Sequence, residues 1–556
     1  MKVKGIESAR RPISDFRFLV PAFWFLSQDE REPANESRRK RTFLIACLLA
    51  LSVLVPTALA DAIAAAPQAQ ITREQTYRDA RKALRKGDYE QTLNLYKDLM
   101  ARDGQDILAQ NGAAYASMKM QSYGQCYDYG SAALKIDANN ARAHALVGTA
   151  LLHSGFLREA VPELREALRL DPKEPLAYGS ASEFDYFEGR ISEARAKALL
   201  AIRLDPNEPD YIMTYARASS RAEDYKEAAD AYELFLQTAP LSDSERRERI
   251  QGLIRFYRRL AGIQVHQVSG PSRSEVSFRL GSDRRPYIRV KVNGREALFV
   301  IDTGAGFTVI SKDSAKRLGI SEIARGGKSQ GIGGDGKFSI VYGLIGALQL
   351  NEVKVRMVPC FIRPFHGVNE RPADERADGY IGLSILSRFI AEIDYQQGRL
   401  ILDRNMDRPL MVADVPGVTT IPFRMTQNGL ISIETEFDGS NPVNAILDSG
   451  ASSTAISMAA VERLKMRDRI IQGQSTTVIG AAGIANNVEL LFLRNCRVAD
   501  LRQNNLRALV LDFDAINETS GFEQSGILGG DFLRHFRVTI DFPRTQVRFQ
   551  PHATPQ

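Results

Sequence analysis

The feature that most constrains the fold is a stretch that occurs twice: VIDTGAGFTVIS at 300–311 and ILDSGASSTAIS at 446–457. Each copy follows alternating apolar and polar residues that turn at an Asn-Gly or Asp-Gly pair, the pattern of a β-hairpin. In both places the second strand of the hairpin leads into an aspartate on a tight turn. The repetition predicts two β-rich lobes of the same design in one chain.

The similarity continues beyond the turn. Asp302 is followed by IGGDG at 332–336, and Asp448 is followed by IGAAG at 479–483, at a nearly equal distance. DGYIGLSILSRFIAEIDY (378–395) and SGILGGDFLRHFRVTIDF (525–542) then align without a gap. A lone Asp-Thr/Ser-Gly is also a common turn sequence. The complete set, found twice in the same order and at matched spacing, is much stronger evidence that the two segments share one design.

This paired constellation resembles the aspartic peptidases, with two retropepsin-like lobes in a single-chain, pepsin-like tandem over about residues 280–550. The resemblance implies that Asp302 and Asp448 form the catalytic dyad. Two carboxyl groups held close together share one proton, so one can act as a base on water while the other acts as an acid. Hydroxyls at Thr303 and Ser449 are expected to hydrogen-bond across the pseudo-twofold axis.

The resemblance also assigns the surroundings of the dyad. The supporting loop residues it implies are Gly304, Ala305, Gly450 and Ala451, with the apolar–Gly pairs Ile381-Gly382 and Leu528-Gly529 packed beneath them. The flap residues it implies, which would close over a substrate strand, are Gly331, Ile332, Gly333, Gly334, Ile479 and Gly480. Pepsin-like enzymes carry one flap and retroviral dimers carry two, and the sequence leaves this choice open.

Both copies carry Ala after the Asp-Thr/Ser-Gly, where acid-active pepsin-like enzymes usually carry Ser or Thr. Losing that hydroxyl bond to the carboxylate should raise the pKa of the pair. We therefore expect a mildly acidic to near-neutral pH optimum. Cys360 and Cys496 fall at different offsets in the two lobes, so two isolated thiols are favoured over a disulfide.

The first half of the chain has a different period. KIDANNA (135–141), RLDPKEP (169–175) and RLDPNEP (203–209) recur at one constant spacing. Small residues recur at the same period: Ala133, Ala167 and Ala201 in one column, and Cys126, Ala160, Ala194 and Ala228 in another. The pattern resembles the tetratricopeptide repeat, a helix–turn–helix unit. About five units are expected, followed by a closing helix at 244–262. Such an array implies a concave groove that holds a peptide or protein partner.

The N-terminal segment is typical of a targeting signal. Residues 38–66 place a basic cluster before an apolar run and small residues, the order of a secretory signal. The apolar stretch 42–60 is just long enough for an uncleaved membrane anchor. We expect an exported protein in a bacterial-type periplasm, either secreted after signal cleavage or anchored in the inner membrane.

Charge and composition exclude other classes. Ten Lys/Arg and six Asp/Glu in residues 1–41 account for +4 of the net charge of +6, which leaves no basic footprint for nucleic acid. The four Cys and six His have no metal-ligand spacing, so no metal or other cofactor is expected.

The predicted fold class is multidomain α plus all-β: an α-solenoid of tetratricopeptide repeats followed by two homologous, β-barrel-like peptidase lobes. The predicted segments are a targeting segment (1–66), the repeats (72–262), a linker (263–285), lobe 1 (286–404), a connector (405–418) and lobe 2 (419–550).

The predicted function is that of an exported aspartic endopeptidase whose repeats recruit a protein substrate or partner. Two alternatives remain at this point. The chain could be a non-catalytic peptide- or protein-binding scaffold, or its lobes could be active only as intermolecular dimers.

Overall fold

The computed structural model describes residues 72–242, 244–329, 331, 337–367, 371–407 and 417–552. The targeting segment 1–66, the flap residues Ile332, Gly333 and Gly334, and most of the connector lie outside this part of the chain. Among the described residues, no helix has both the length and the apolar character that crossing a bilayer requires.

The N-terminal half is a series of antiparallel helix pairs. Five pairs span 72–238, and the helices are α1 (72–86), α2 (Tyr89–Arg102), α3 (Ile107–Lys119), α4 (Tyr123–Ile136), α5 (Ala141–His153), α6 (Leu157–Leu170), α7 (Pro175–Phe187), α8 (Ile191–Leu204), α9 (Pro209–Arg221) and α10 (Tyr225–Thr238). A closing helix, α11, covers Ser244–Leu260. The first helices of successive pairs begin at Ile107, Ala141, Pro175 and Pro209, which are evenly spaced in the sequence. The predicted tetratricopeptide-type solenoid is confirmed.

Small side chains hold the helix pairs together. Ala160, Ala194, Ala228 and Cys126, which occupy one column of the repeat, are all fully buried. A larger side chain there would force the paired helices apart, because protein interiors are close-packed. The Asp-Pro steps follow α6 and α8 directly, since proline cannot continue a helix.

Lobe 1 is built mainly of strands: β1 (Gln267–Ser269), β2 (Arg273–Leu280), β3 (Pro286–Val292), β4 (Arg295–Ile301), β5 (Thr308–Ser311), α12 (Lys312–Arg317), β6 (Ser321–Ser329), β7 (Phe338–Leu350), β8 (Val353–Arg363), β9 (Gly379–Ile381), α13 (Leu383–Leu386), β10 (Ile390–Asp394) and β11 (Arg399–Asp403). The segment 263–285, predicted as a linker, differs from that prediction because it contains β1 and β2. In β2, Ser274, Val276 and Phe278 are buried at alternate positions, and β2 pairs with β3 and β11.

Lobe 2 follows the order of lobe 1 from its first hairpin onward, with one additional α-helix, α15. Its elements are β12 (Thr419–Pro422), β13 (Arg424–Met425), β14 (Ile431–Phe437), β15 (Val443–Leu447), β16 (Ala455–Ser457), α14 (Met458–Arg463), β17 (Ile470–Ile479), β18 (Ile484–Val498), β19 (Leu501–Leu511), α15 (Asp514–Ser520), β20 (Gly526–Leu528), α16 (Gly530–Leu533), β21 (Phe536–Asp541) and β22 (Gln546–Pro551).

Strand pairing shows that the duplication is structural. In lobe 1, β4 pairs in parallel with β9, and β5 in parallel with β8. In lobe 2, β15 pairs in parallel with β20, and β16 in parallel with β19. An extra pairing, β3 with β7 or β14 with β18, curls each sheet back on itself. The predicted pair of homologous, β-rich lobes is therefore confirmed, with a barrel-like closure in each.

The two lobes share one sheet. β10 of lobe 1 pairs with β21 of lobe 2, so that Ala391 lies opposite Ile540 and Ile393 opposite Val538. These four side chains are buried, and they belong to one apolar core that reaches into both lobes. Hydrogen bonds and a common core thus fix the two halves relative to each other.

The helical repeats pack directly on both lobes. On lobe 1, the ring of Phe256 in α11 stacks on Tyr342 of β7 with centroids 4.3 Å apart. On lobe 2, His153 at the end of α5 hydrogen-bonds Gly521 O at 2.6 Å, and the Tyr186 hydroxyl of α7 donates to Gln427 O at 3.2 Å. The solenoid therefore faces the lobes along much of its length.

Candidate active site

The two predicted catalytic aspartates occupy equivalent positions. Asp302 follows the last residue of β4 and Asp448 follows the last residue of β15, each beside a short parallel strand. The Asp302 N–H donates to Ile381 O at 3.0 Å, and the Asp448 N–H donates to Leu528 O, also at 3.0 Å. The duplicated strand pairs thus deliver both carboxyl groups to the boundary between the lobes.

Cross-lobe hydrogen bonds hold the two turns together. The Thr303 hydroxyl donates to Leu447 O at 2.7 Å and accepts the Ser449 N–H at 2.8 Å. In return, the Ser449 hydroxyl donates to Ile301 O at 2.8 Å and accepts the Thr303 N–H at 3.0 Å. Both hydroxyl side chains are almost fully buried. Four reciprocal bonds in a buried setting fix the spacing between the aspartates.

Glycine is required next to each aspartate. A Cβ on Gly304 would overlap the carboxyl group of Asp448, and a Cβ on Gly450 would overlap that of Asp302. With glycine at both positions the backbone of each lobe comes close to the opposite carboxyl group. The Gly304 N–H donates to Asp302 Oδ1 at 2.9 Å, and the Gly450 N–H to Asp448 Oδ1 at 2.8 Å.

The supporting residues lie beneath the turns. The Ala305 carbonyl accepts the Leu383 N–H at 2.8 Å, and the Ala451 carbonyl accepts the Gly530 N–H at 2.8 Å. Side chains on Gly382 and Gly529 would collide with the backbone at Phe307 and Ser453, respectively. The structure therefore brings the apolar–Gly pairs against the dyad loops, at the positions that the sequence predicted for them.

The two carboxyl groups lie close together at the lobe boundary, each against the glycine of the opposite turn, and each influences the protonation of the other. Burial, followed by the charge of Asp448 and the hydrogen bond to it, raises the pKa of Asp302 well above its usual range. Burial also raises the pKa of Asp448, but the N–H groups of Gly450, Ala451 and Gly304 oppose that rise. The pair therefore retains one proton above the usual titration range of aspartate.

Each lobe contributes a long hairpin, and the tips of the two hairpins approach each other. β6 and β7 lead to Gly331, and β17 and β18 enclose Gly480 and Ala481. A Cβ on Gly331 would touch the Ala481 side chain, so the described parts of the two tips meet. The structure thus contains two flap-like hairpins, as in a retroviral dimer, and places Gly331, Ile479 and Gly480 on them.

Sequence reasoning did not single out Arg363, at the end of β8. Its guanidinium lies 5.3–5.7 Å from the ring centroids of Phe338, Phe365 and Tyr380, and it donates to Ala481 O at 3.0 Å. No described carboxylate forms an ion pair with it. Its charge, together with that of Arg285, opposes the rise in the pKa of Asp302.

A signal for Arg363 was available in the duplication. β5 pairs with β8 so that Ser311 lies opposite Arg363, and β16 pairs with β19 so that Ser457 lies opposite Leu511. The matched positions in the two lobes therefore carry arginine and leucine. A residue-by-residue comparison of the two lobes would have identified this difference.

The cysteines in the described part of the chain, Cys126, Cys360 and Cys496, are free and buried. Cys360 pairs across the sheet with Gly343 in lobe 1, whereas Cys496 lies 3.6 Å from the Thr435 hydroxyl in lobe 2. Burial raises the pKa of the Cys496 thiol to about 12, so this group is a packing residue rather than a nucleophile.

Comparison with known proteins agrees with this arrangement. Residues 288–385 and 433–532 each match a family model described as "Aspartyl protease". DNA damage-inducible protein 1 of Neurospora crassa is 28% identical over 180 residues, which is 32% of this chain and 36% of that protein. Sperm-associated antigen 1 of Mus musculus is 32% identical over 100 residues, which is 18% of this chain and 11% of that protein.

Among solved structures, a thermophilic TPR protein of Thermus thermophilus matches 33% of this chain and 98% of its own, with 18% identity and a TM-score of 0.29. The chain spans about a third of the Neurospora relative and about a tenth of the mouse relative. Each lobe therefore matches the aspartyl protease family model over most of its length. The chain joins two such lobes in tandem behind a tetratricopeptide-type solenoid.

Proposed function

We propose that the protein is an aspartic endopeptidase that cleaves peptide bonds with a water activated by Asp302 and Asp448. The observation that carries the proposal is the close approach of two half-buried carboxyl groups from different lobes, each of which lies against the glycine that follows the other aspartate turn. Their proximity and burial raise the pKa of both groups. Structural ion networks seldom bury two acids against each other without a cation between them, because the repulsion of their charges is unfavourable.

The chemistry follows from the asymmetry of the pair. Asp448, whose carboxylate accepts the N–H groups of Gly450 and Ala451, takes a proton from a water held between the carboxyl groups. Protonated Asp302 donates a hydrogen bond to the scissile carbonyl, which stabilises the negative charge that develops on its oxygen. The resulting gem-diol collapses when a proton reaches the departing amine nitrogen. The mechanism needs no covalent enzyme intermediate.

The test uses Asp302→Asn and Asp448→Asn, with Asp313→Asn as a control. Asp313 is an exposed aspartate of α12 in lobe 1. Each protein is incubated with an unfolded protein and a diverse peptide mixture from pH 3.5 to 7.5, with and without a pepstatin-type inhibitor. We expect either dyad substitution alone to lower cleavage at least about 1,000-fold and the control to leave it unchanged. Cleavage that survives both single substitutions would contradict a shared site.

Two alternatives give different results in the same assay. A peptide-binding scaffold would cleave nothing, and its peptide binding would be indifferent to Asp302→Asn. Lobes that work only as intermolecular dimers would lose part of the activity with each substitution, because each type of site would use one aspartate twice. The pairing of Asp302 with Asp448 in one chain, and the shared β10–β21 sheet, favour a single intramolecular site.

The cellular setting is part of the proposal. The basic, apolar and small-residue order of residues 38–66 supports export, with the lobes and repeats in a bacterial-type periplasm and the N-terminal segment either removed or kept as an anchor. The concave, repeat-built surface supports recruitment of a protein substrate or partner. Fractionation of cells that produce the full chain, with N-terminal sequencing of the mature protein, tests this assignment.

A further inference from the structure

A large cavity lies between the helical repeats and the two lobes. Its volume is about 2010 Å³, beyond the 300–1,000 Å³ or so of an ordinary small-molecule pocket. The repeats line it with residues from α2 to α11, and both lobes contribute residues to it. A space of this size and shape suits a polypeptide better than a metabolite.

The cavity reaches the entrance of the catalytic cleft. Its wall includes Gly306 and Phe307, which follow the Asp302 turn, and Gly331 of the first hairpin. It also includes Asn428, whose carbonyl packs against Gly306, and Ile484, next to the tip of the second hairpin. Residues below and above the cleft thus border the same space as the inner face of the repeats.

Contacts trace a path from the repeats to the dyad. The Arg221 guanidinium lies 5.1 Å from the ring centroid of Tyr186, and the Tyr186 hydroxyl donates to Gln427 O at 3.2 Å. Gln427 is followed in the sequence by Asn428, whose carbonyl lies against Gly306. Gly306 comes two residues after Gly304, the glycine that packs against the Asp448 carboxyl group. An extended chain advances about 3.3 Å per residue, so a segment on the order of ten residues would span this path.

The lining suits an extended peptide. Eight tyrosines border the cavity, among the 18 in the chain. Tyrosine offers a rigid apolar ring and a hydroxyl, so it can contact both the side chains and the backbone of a bound peptide without losing much conformational entropy. Such a wall binds polypeptide with little dependence on sequence.

Most charged groups in the wall already have partners. Lys119 pairs with Glu208 and Asp210 at 2.7 and 2.6 Å, and Arg249 pairs with Glu518 at 2.8 Å. Arg388 pairs with Glu223. These ion pairs bridge repeat helices to one another or to the lobes, and they neutralise much of the charge in the wall.

Among the arginines and lysines of the wall, Arg217 and Arg221 are the exception. They lie one turn apart on α9, both border the cavity, and neither forms an ion pair with a described carboxylate. Nη1 of Arg221 is buried and has no hydrogen-bond acceptor among the described residues. A buried donor without an acceptor is unfavourable, and an arginine pair at this spacing matches carboxylate groups.

We propose that the cavity is a second binding site for the substrate chain, continuous with the catalytic cleft, in which Arg217 and Arg221 bind a carboxylate of that chain. The carboxylate comes from an acidic side chain or from the C-terminus, about ten residues from the scissile bond. This inference rests on the proposed peptidase function. The enzyme would then act on long, unfolded polypeptides that carry negative charge at this distance, and poorly on short peptides.

The test compares Arg217→Gln/Arg221→Gln with the control Arg165→Gln/Arg203→Gln. Arg165 and Arg203 are exposed on α6 and α8, border no part of the cavity, and also lack a described ion-pair partner. The probes are an eight-residue peptide with two apolar residues at its centre, and a 24-residue version with three glutamates about ten residues from the bond between those two residues. Two further 24-residue probes carry glutamines in their place, with a free or an amidated C-terminus.

Binding is measured separately from cleavage, by fluorescence anisotropy with the full chain carrying Asp448→Asn. We expect the glutamate peptide to bind at least about tenfold more tightly than the eight-residue peptide, and the α9 double substitution to remove that advantage. The exposed double substitution should leave it unchanged. If the glutamine peptide with a free C-terminus binds as tightly as the glutamate peptide and the amidated glutamine peptide does not, the bound carboxylate is that of the C-terminus.

The cleavage assay separates the two proposals. In the catalytically intact protein, the α9 double substitution should raise KM for the long acidic peptide about tenfold and leave kcat/KM for the short peptide unchanged. Equal binding of the long acidic peptide to both double variants would overturn the inference, whatever the cleavage result. Binding that depends on Arg217 and Arg221 without any cleavage would support the cavity site and overturn the peptidase proposal.

Discussion

At the scale of single residues, the dyad is asymmetric although the lobes are duplicates. Asp448 Oδ1 accepts N–H groups from Gly450 at 2.8 Å and from Ala451 at 3.0 Å, whereas Asp302 Oδ1 accepts one from Gly304 at 2.9 Å. Hydrogen bonds to a carboxylate favour its charged form. In the proposed mechanism, the second lobe therefore supplies the base and the first lobe holds the proton.

This asymmetry sets the pH dependence that we expect. Activity requires one proton on the pair, so it is lost on the alkaline side when Asp302 ionises. The positive charge of Arg363 opposes the rise in the pKa of Asp302. Removing that charge with Arg363→Gln disfavours the Asp302 carboxylate, raises its pKa further, and should move the alkaline limb of the kcat/KM profile to higher pH.

The matched control is Arg356→Gln, which removes an exposed arginine from the same strand, β8. Its pH profile should coincide with that of the unsubstituted protein. An alkaline limb that stays in place in Arg363→Gln, or moves to lower pH, would show that the Arg363 charge does not act on the dyad.

The cross-lobe hydroxyls give a second prediction at this scale. Thr303→Val keeps the shape of the side chain but removes a donor to Leu447 O and leaves the buried Ser449 N–H without its acceptor. We expect the free energy of unfolding in urea to fall by about 2 kcal/mol or more. Thr420→Val, at an exposed strand position, should change it by less than about 0.5 kcal/mol. Equal stability of the two variants would contradict this prediction.

The residues around the dyad could be predicted because the chain presents them twice. Asp302 and Asp448, their glycines, and the Ile381-Gly382 and Leu528-Gly529 pairs keep the same order and spacing in both halves. Their catalytic roles remain predictions. Arg363 could not be found by motif, because it acts through space from the far end of β8 and its counterpart in the other lobe is leucine.

At the scale of elements, the first flap hairpin is held by the last helix of the solenoid. Gly252 of α11 and Gly326 of β6 meet backbone to backbone, and a Cβ on either would overlap the other. Arg255 donates to Arg325 O at 2.7 Å from the same helix. The hairpin that leads to Gly331 is thus braced by the repeats rather than free along its length.

Replacing the helical glycine tests this contact. Glycine-to-alanine changes ordinarily stabilise a helix, by up to about 1 kcal/mol. Gly252→Ala should do the opposite and cost about 1–3 kcal/mol in urea unfolding, because the methyl group meets the backbone of β6. Hydrogen exchange of the β6 amides should also become faster.

Gly124→Ala serves as the control, since Gly124 lies in α4 with nothing within 4 Å of an added Cβ. It should leave stability unchanged or slightly raise it. A Gly252→Ala protein as stable as Gly124→Ala, with β6 exchange unchanged, would show that α11 does not brace the hairpin.

Elements whose residues recur at a regular sequence spacing could be predicted, whereas elements that form only by pairing with distant strands could not. The constant repeat spacing predicted the helix pairs because each repeat packs on its neighbours in the same way. β2 appeared as a linker because its residues lie in a Ser-, Gly- and Pro-containing segment, and only pairing with β3 and β11 makes them a strand. The choice between one flap and two also depended on pairing.

At the scale of the whole molecule, one chain contains both halves of the site. The β10–β21 pairing and the common apolar core join the lobes without a second copy. The docking of the solenoid on both lobes had no sequence signal, because it depends on scattered side chains such as Phe256, His153 and Tyr186. Neither contact surface has a period or motif of its own.

This architecture predicts activity that is independent of assembly. The specific activity of the purified protein should stay constant over a hundredfold dilution, and light scattering should give a mass no greater than the 61.8 kDa of one full chain. The physical reason is that both carboxyl groups come from the same chain. Specific activity that falls on dilution, together with a mass near twice that value, would favour the intermolecular alternative.

The arginine–leucine difference between β8 and β19 has a consequence for substrate polarity. Two identical subunits related by a twofold axis present the same surface to a strand whichever way it runs. One chain with Arg363 in one half and Leu511 in the other presents unlike surfaces, so the two directions of a bound strand are no longer equivalent. With two unlike lobes in one chain, a substrate strand bound in the cleft is therefore expected to prefer one N-to-C orientation over the other.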